Sequence, residues 1–446
     1  HPLNSPFVIN QPSGKNPYHA AKPLRDDPEN SNVTSRSMLA SPGSRALRRL
    51  GAALAYRNFR ILWCGSFVST VGMWVQRVAQ NWLILTLTGS AFYLGLASFM
   101  SDLPVLLFTL IGGVIADRHD RRYLLIGSQC IQMVPAFVLA ALVYFNVVQI
   151  WQILLLAFIT GCGQAFGGPA HQSLIPALVP KENLPNAIAL NSIQFNLGRF
   201  IGPLIAGVTM TALGTAACFG FNGLSFFVVI VALMSLRVKH LPPSTRQRML
   251  DELRGGLFYV RHQGSLTSLT SLAFITTLLG FPLLTLLPVI AQDVFAQGVE
   301  QYSRMMAFVG AGAVVGALTV AWLGKFRHMG VTLLFVQLAF GGLVVAFSFS
   351  RVMLLSEVLL FFAGTMLIMV FSLTTSLVQL VAPNELRGRV MSIFMVAFRG
   401  GIPLGNLIAG SVADRISAPF VLGINGMVLT VIACYFLTRS HGVRTL

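Results

Sequence analysis

GGVIADRHDRR, residues Gly112 to Arg122, sets three arginines and two aspartates between two long apolar runs, LGLASFMSDLPVLLFTLI before it and YLLIGSQCIQMVPAFVLAALVYF after it. Each run is long enough to cross the roughly 30 Å hydrocarbon core as a helix. Backbone inside hydrocarbon must satisfy its own hydrogen bonds, so a charged, irregular stretch belongs at the surface, between spanning segments. The eleven residues therefore read as a short cytoplasmic loop joining two membrane helices.

Outward from that loop the pattern repeats. The 446-residue chain is 55% hydrophobic and 10% charged, more apolar surface than a water-soluble domain of this size can bury. Twelve apolar spans are predicted, at residues 60–87, 91–116, 123–145, 150–174, 186–213, 216–236, 266–291, 303–324, 330–349, 352–379, 388–412 and 418–438. Alternation of polar and apolar residues with a period of two is not evident, which argues against a β-barrel. The predicted fold class is an all-α membrane protein of twelve transmembrane helices.

The net charge of +17 does not point to nucleic acid, because the basic residues sit in alternate loops. If the tail before Asn58 is cytoplasmic, then Arg57, Arg118, Arg121, Arg122, Lys181, Arg254, Lys325, Arg387 and Arg439, among others, share its side. The opposite side keeps Arg304, Arg351 and Arg415. By the positive-inside rule both termini lie in the cytoplasm of a cell whose inner (plasma) membrane the chain crosses repeatedly.

The longest interior polar stretch, Arg237 to Gly264, divides the spans six and six. Residues 1–57 read as a disordered cytoplasmic tail, 58–236 as an N-terminal six-helix bundle and 237–265 as a cytoplasmic linker. Residues 266–438 read as a C-terminal six-helix bundle and 439–446 as a second cytoplasmic tail. The linker contains LDELRGGLFYVR (250–261), an amphipathic segment suited to the membrane surface. The first tail shows no signal peptide and begins with His, so this end reads as processed or incomplete. Its Asn32-Val-Thr sequon would be silent in the cytoplasm. The five cysteines all fall in apolar runs without metal-ligand spacing and read as small core residues.

A weak internal repeat supports two pseudo-symmetric bundles. Arg199 precedes Pro203 by four residues in span 5, and Arg399 precedes Pro403 by four in span 11. Each follows a similar approach, LVPKENL (178–184) and LVAPNEL (380–386).

Charge inside a span costs a few kcal/mol, so such residues face an aqueous cavity or a partner. Arg77, Arg199, Arg399 and Asp102 lie deep; Asp293 and Glu357 sit near span ends and read as interfacial. Counted from Gly89, Arg77 is 12 residues back and Asp102 is 13 forward, so both lie about 18–20 Å from that turn. An ion pair is feasible. It could merely offset its own burial and fix packing, or Asp102 could take up and release a proton with Arg77 tuning it. Arg199 and Arg399 could bond carbonyls freed by Gly and Pro, or face a central cavity and attract an anionic or electron-rich substrate. Gln76, Gln80, Asn81, Gln164, Gln194 and Asn196 add hydrogen-bonding capacity or glue helices together. His119, His171, His240, His262 and His328 read as surface groups.

GGVIADRHDRR resembles the loop between spans 2 and 3 of the major facilitator superfamily. Gly113, Asp117, Arg118, Arg121 and Arg122 occupy the motif positions, and Asp120 stands where the family usually has Gly. The resemblance implies an inner-gate latch in which Asp117 bonds the start of span 11, near residues 386–390. GRFIGPLIAG (198–207) is similar to the span 5 motif of the superfamily's antiporters through Gly198, Gly202, Pro203 and Gly207, though close helix packing explains it equally. The span 4 pair Gly161 and Gly163 lacks the family's upstream Arg. GPAHQSLIPALVPKENLPNAIALNS (168–192), LPVIAQDVF (287–295) and PNELRGRVMSIF (383–394) resemble the bacterial branch containing the enterobactin exporter and transmembrane secretion effectors.

What this implies is the two-bundle major facilitator fold and a monomeric, proton-coupled exporter of small amphipathic or anionic molecules, of drug or siderophore class, working by alternating access. Neither catalysis nor a cofactor, metal or nucleic-acid partner is expected; the partners are a small-molecule substrate, protons and the lipid bilayer. A phospholipid or lysophospholipid flippase, and a non-transporting membrane sensor or scaffold, are the alternatives.

Overall fold

A computed structural model describes residues 52–118, 120–236, 257–439, 441–444 and 446, without the side chains of residues 110, 114, 116–118, 439 and 441. The predicted tail to residue 51, most of the linker, His119, His240 and the side chains of Asp117 and Arg118 therefore lie outside the described residues.

Among the described residues the long elements are all helices: α1 (Arg57–Thr88), α2 (Ala91–Arg118), α3 (Arg121–Tyr144), α4 (Ile150–Leu178), α5 (Leu184–Leu213), α6 (Thr215–Ser235), α7 (Gly264–Gly280), α8 (Pro282–Asp293), α9 (Val299–Leu323), α10 (Met329–Phe349), α11 (Met353–Val381), α12 (Arg387–Arg415), α13 (Ala418–Arg439) and the short α14 (His441–Arg444). The predicted seventh span is thus two helices. Pro282 has no N–H to continue the ladder, and the chain restarts there as α8.

With α7 and α8 counted together, ten of the twelve spans are long and apolar enough to cross a membrane. The other two, α1 at 32 residues and α5 at 30, have the length but are too polar. They hold Gln76, Arg77, Gln80 and Asn81 on α1 and Gln194, Asn196 and Arg199 on α5. A membrane segment that gives up hydropathy for polar side chains is expected to line a polar interior.

Helix α1 packs on α5 and α6, α2 on α4, and α3 on α4 and α6; in the second half α7 packs on α12, α9 on α11, and α10 on α11 and α13. The main crossings between the halves are α2 with α12 and α5 with α9, and α8 also touches α1 and α2. Small residues permit these crossings. A methyl group on Gly410 would lie 2.7 Å from the Ala91 carbonyl oxygen, and one on Gly207 would lie 2.9 Å from Ser303 Cβ.

One end of the molecule, here the basic end, carries Arg121, Arg122, Lys181, Lys325 and Arg387. Toward the opposite end a single apolar core joins both halves, running from Val75, Leu83 and Leu94 through Leu286 and Tyr302 to Ala409 and Leu422. Toward the basic end there are two separate cores. One, in the first half, is built on Phe59, Leu125, Leu174 and Leu233; the other, in the second, on Leu269, Leu333, Leu373 and Phe394. Among the described residues, burial of apolar surface therefore joins the halves at the end opposite the basic loops and not at the basic end. The apolar core is continuous at the opposite end and divided between the halves at the basic end.

Helix α3 starts with Asp120, whose Oδ1 accepts a 2.9 Å hydrogen bond from the Arg122 amide. Asp120 is a helix N-cap with φ of −63°, so no glycine conformation is needed there. Arg122 donates from Nε and Nη2 to the carbonyls of Leu233 and Met234, and Arg121 donates from Nη1 to that of Ser173. Both arginines satisfy carbonyls near the ends of α4 and α6 within the first half.

Candidate functional site

Arg77 of α1 and Arg199 of α5 meet at Trp74. The guanidinium carbons of Arg77 and Arg199 lie 5.3 Å and 5.4 Å from the centre of its indole, and Phe195 packs edge-on against it at 6.3 Å. The contact is made by glycine: a methyl on Gly198 would meet Thr70, and one on Gly202 would meet the Trp74 Cβ. Gly198 and Gly202 thus draw α5 onto α1, whereas Gly207 faces α9 in the other half. Pro203 is buried inside α5.

Arg77 and Arg199 differ sharply in setting. Arg77 is exposed; Arg199 is 5% exposed, its Nη2 without a hydrogen-bond partner. Trp74 is 3% exposed and its Nε1 is likewise unpartnered. Gln194, also buried, donates to Thr70 Oγ1 at 3.0 Å. Gln76 accepts from Asn222 at 2.6 Å, Gln80 is half-buried, and Asn196 bonds its own helix at the Ser192 carbonyl.

The sole deep carboxylate among the described residues of the first half, Asp102 on α2, is not within 4.0 Å ion-pair distance of Arg77. It accepts a 3.4 Å hydrogen bond from Ser98 Oγ, which in turn accepts one of 2.7 Å from Asn406 Nδ2 on α12. Equal depth placed Arg77 and Asp102 at one level, but their helices do not turn the two side chains into contact. Both Arg77 and Arg399 act electrostatically on Asp102. Arg399, exposed on α12, brings the second half's charge to the same place. One carboxylate therefore stands among cations from both halves, with a hydrogen-bond relay across the α2–α12 crossing.

At the opposite end the halves are latched by aromatic and amide groups. Tyr302 is fully buried, stacks on Trp82 and accepts a hydrogen bond from Asn81. Glu357 is not interfacial as expected but 1% exposed, 2.9 Å from Arg304 Nη2 and accepting from Gln301 Nε2 at 2.8 Å. Its position near a span end hid the fact that it points inward, between α9 and α11. His171 is also no surface group: it sits on α4 and shares a 3.3 Å hydrogen bond with Ser66 of α1. Of the cysteines, Cys218 is buried, while Cys64 and Cys434 are exposed rather than core.

A family model described as transmembrane secretion effector matches residues 51–442. The chain belongs to the transmembrane secretion effector family. It is similar to the staphyloferrin A transporter of Staphylococcus aureus, 28% identical over 84% of this chain and 95% of that protein. It is also similar to macrolide efflux protein A of Streptococcus pyogenes, at 23% identity over 85% and 96% of the two chains. The crystal structure of a bacterial homolog of the human lysosomal transporter Spinster, in an inward-facing and occupied conformation, superposes with a TM-score of 0.69. It covers 88% of this chain and 97% of that one at 13% identity, which shows the shared fold. This transmembrane secretion effector is accordingly a multi-pass secondary transporter of major facilitator type, not an enzyme.

Sequence reasoning found the four deep charges but missed Trp74, which organises two of them. An aromatic inside an apolar run reads as core. The signal available was its spacing, one helical turn before Arg77 and facing the glycine pair of span 5.

Proposed function

We propose that this transporter exports small amphipathic or anionic molecules, of drug or siderophore class, from the cytoplasm by alternating access, with inward proton movement as the driving reaction. The observation that carries the reading is the joined core at one end and the divided cores at the basic end, with Arg77, Asp102 and Arg399 at the level between them. With the basic end cytoplasmic by the positive-inside rule, the described state is open to the cytoplasm and closed outside, ready to load cargo from within. The efflux function of the macrolide relative supports the outward direction.

Asp102 is the proton carrier in this account. Protonation removes the charge that accepts from Ser98, weakening the Asn406–Ser98–Asp102 relay and releasing Arg77 and Arg399 from its field. Because the relay ties α2 to α12, a proton at Asp102 biases the crossing on which the two halves rock. Asp117, Arg118, Arg121 and Arg122 form the inner gate, of which Arg121 and Arg122 brace the first half. The protein works as a monomer in the inner membrane, both termini cytoplasmic.

Purified protein in proteoliposomes provides the test. Efflux of a macrolide or siderophore should follow an imposed pH gradient and collapse when that gradient is dissipated. Flux indifferent to the gradient would remove proton coupling, and absence of flux for a broad cargo panel would remove export.

A further inference from the structure

Arg199 is a guanidinium buried between α1, α5 and α9 whose electrostatic neighbour is another cation, Arg77. Asp102 acts on Arg77 and Arg399, and among the described residues no carboxylate lies within 4.0 Å of Arg199. Stacking on Trp74 returns less than desolvating a lone charge costs. Beside this cation sit two buried donors with nothing to donate to, Arg199 Nη2 and Trp74 Nε1. Buried donors in native proteins are paired almost without exception, so such a cluster points to a group that visits.

Close backbone packing fixes the surroundings of these two donors. Gly198 and Gly202 fix α5 against Thr70 and Trp74, and a methyl on Gly310 of α9 would meet the Arg199 carbonyl oxygen and the Phe200 Cα. One wall is aromatic, with Phe195 against the indole edge. The Gly310 contact belongs to the α5–α9 crossing and fixes the backbone of Arg199, while its guanidinium lies on Trp74 within the first half.

We propose that this donor cluster is an anion subsite, in which Arg199 Nη2 and Trp74 Nε1 donate to an acidic oxygen group, such as a carboxylate, borne on an apolar or aromatic part of the cargo. Arg77, exposed and on the same indole, is the first cation the acid meets; Arg199 is the deeper one. The inference rests on the export reading for what occupies the site, yet it concerns a binding step that is measured without transport.

The test uses the full-length protein in lipid nanodiscs, excited at the red edge of tryptophan absorption and titrated with benzoate or with benzamide, its neutral counterpart. Benzoate should change the emission saturably and benzamide should not. Arg199→Gln should weaken benzoate binding by about tenfold or more, since a charge-assisted bond is lost, and Arg199→Lys by less. Arg415→Gln, at the exposed end of α12, should bind as the parent does. Equal binding of benzamide, undiminished benzoate binding by Arg199→Gln, or equal losses in Arg199→Gln and Arg415→Gln would each overturn the subsite. Should Arg199→Gln fail to fold, Trp74→Phe keeps the aromatic face and removes the N–H; because the reporting indole is gone, its benzoate affinity is read by isothermal titration calorimetry beside the parent's. Weaker benzoate binding supports the site and unchanged binding refutes it. A protein that exports cargo but ignores benzoate would lose the subsite and keep the export reading; one that binds benzoate but moves no cargo would do the reverse.

Discussion

Tyr302 of α9 stacks on Trp82 of α1 across the boundary between the two halves, with ring centroids 6.2 Å apart and planes inclined by 19°, while its hydroxyl accepts a 3.3 Å hydrogen bond from Asn81. This aromatic pair lies in the one apolar core that both halves share. It closes the end of the molecule opposite the basic loops, and its strength sets how readily that end opens.

Truncating the pair should therefore shift the conformational balance. Tyr302→Ala deletes a fully buried ring, a change that costs about 3–5 kcal/mol in a packed core. The cost falls on the closed state alone, so the variant should populate the other. In a background stripped of native cysteines, Asn406→Cys should react several-fold faster with a membrane-impermeant thiol reagent when Tyr302 is Ala. An unchanged rate would show that the stack does not hold the gate.

Next to Tyr302 in sequence, Gln301 and Arg304 grip the buried carboxylate of Glu357. Removing one partner of such a pair is worse than neutralising the other, because a buried charge is left alone. Arg304 is half-exposed, so the penalty is discounted to about 1–3 kcal/mol. Thermal unfolding in detergent should rank Arg304→Ala below Glu357→Gln in stability. The reverse order would mean that Glu357 does not depend on Arg304.

Close packing at the span 5 motif gives a third expectation. An added methyl at Gly202 meets the Trp74 Cβ and should destabilise by about 1–3 kcal/mol. Gly220 on α6 has open space around its Cα, and Gly220→Ala should be neutral or slightly stabilising through helix propensity. Equal melting temperatures for Gly202→Ala and Gly220→Ala would contradict the α1–α5 contact described above.

Much of this architecture was legible in the sequence, and the misses share one cause. Apolar runs fix which residues span the membrane, and positions along a span fix depth; neither fixes which way a side chain points around the helix axis. Arg77 and Asp102 lie at the same depth, yet Arg77 stacks on Trp74 of its own helix and Asp102 accepts from Ser98 of its own, so the two do not pair. Glu357 looked interfacial by depth and proves buried by rotation. Trp74 was invisible for the converse reason, since its importance lies wholly in what α5 brings against it. The break at Pro282, by contrast, was signalled by Gly280-Phe281-Pro282 and overlooked because the apolar run continues through it. The glycines of span 5 carried two readings, and the structure supplies a packing role for each: Gly198 and Gly202 against α1, Gly207 against α9.

The central claim, that Asp102 couples proton movement to cargo movement in an alternating-access exporter, is tested most directly by Asp102→Asn in inverted membrane vesicles with an imposed pH gradient. Asparagine can still accept from Ser98, so the Asn406–Ser98 link survives while titration is lost. The account predicts that the parent protein accumulates cargo against its concentration gradient and that Asp102→Asn equilibrates cargo without accumulating it, whatever the pH gradient. Accumulation by Asp102→Asn at the parent's level, still driven by the pH gradient, would contradict it.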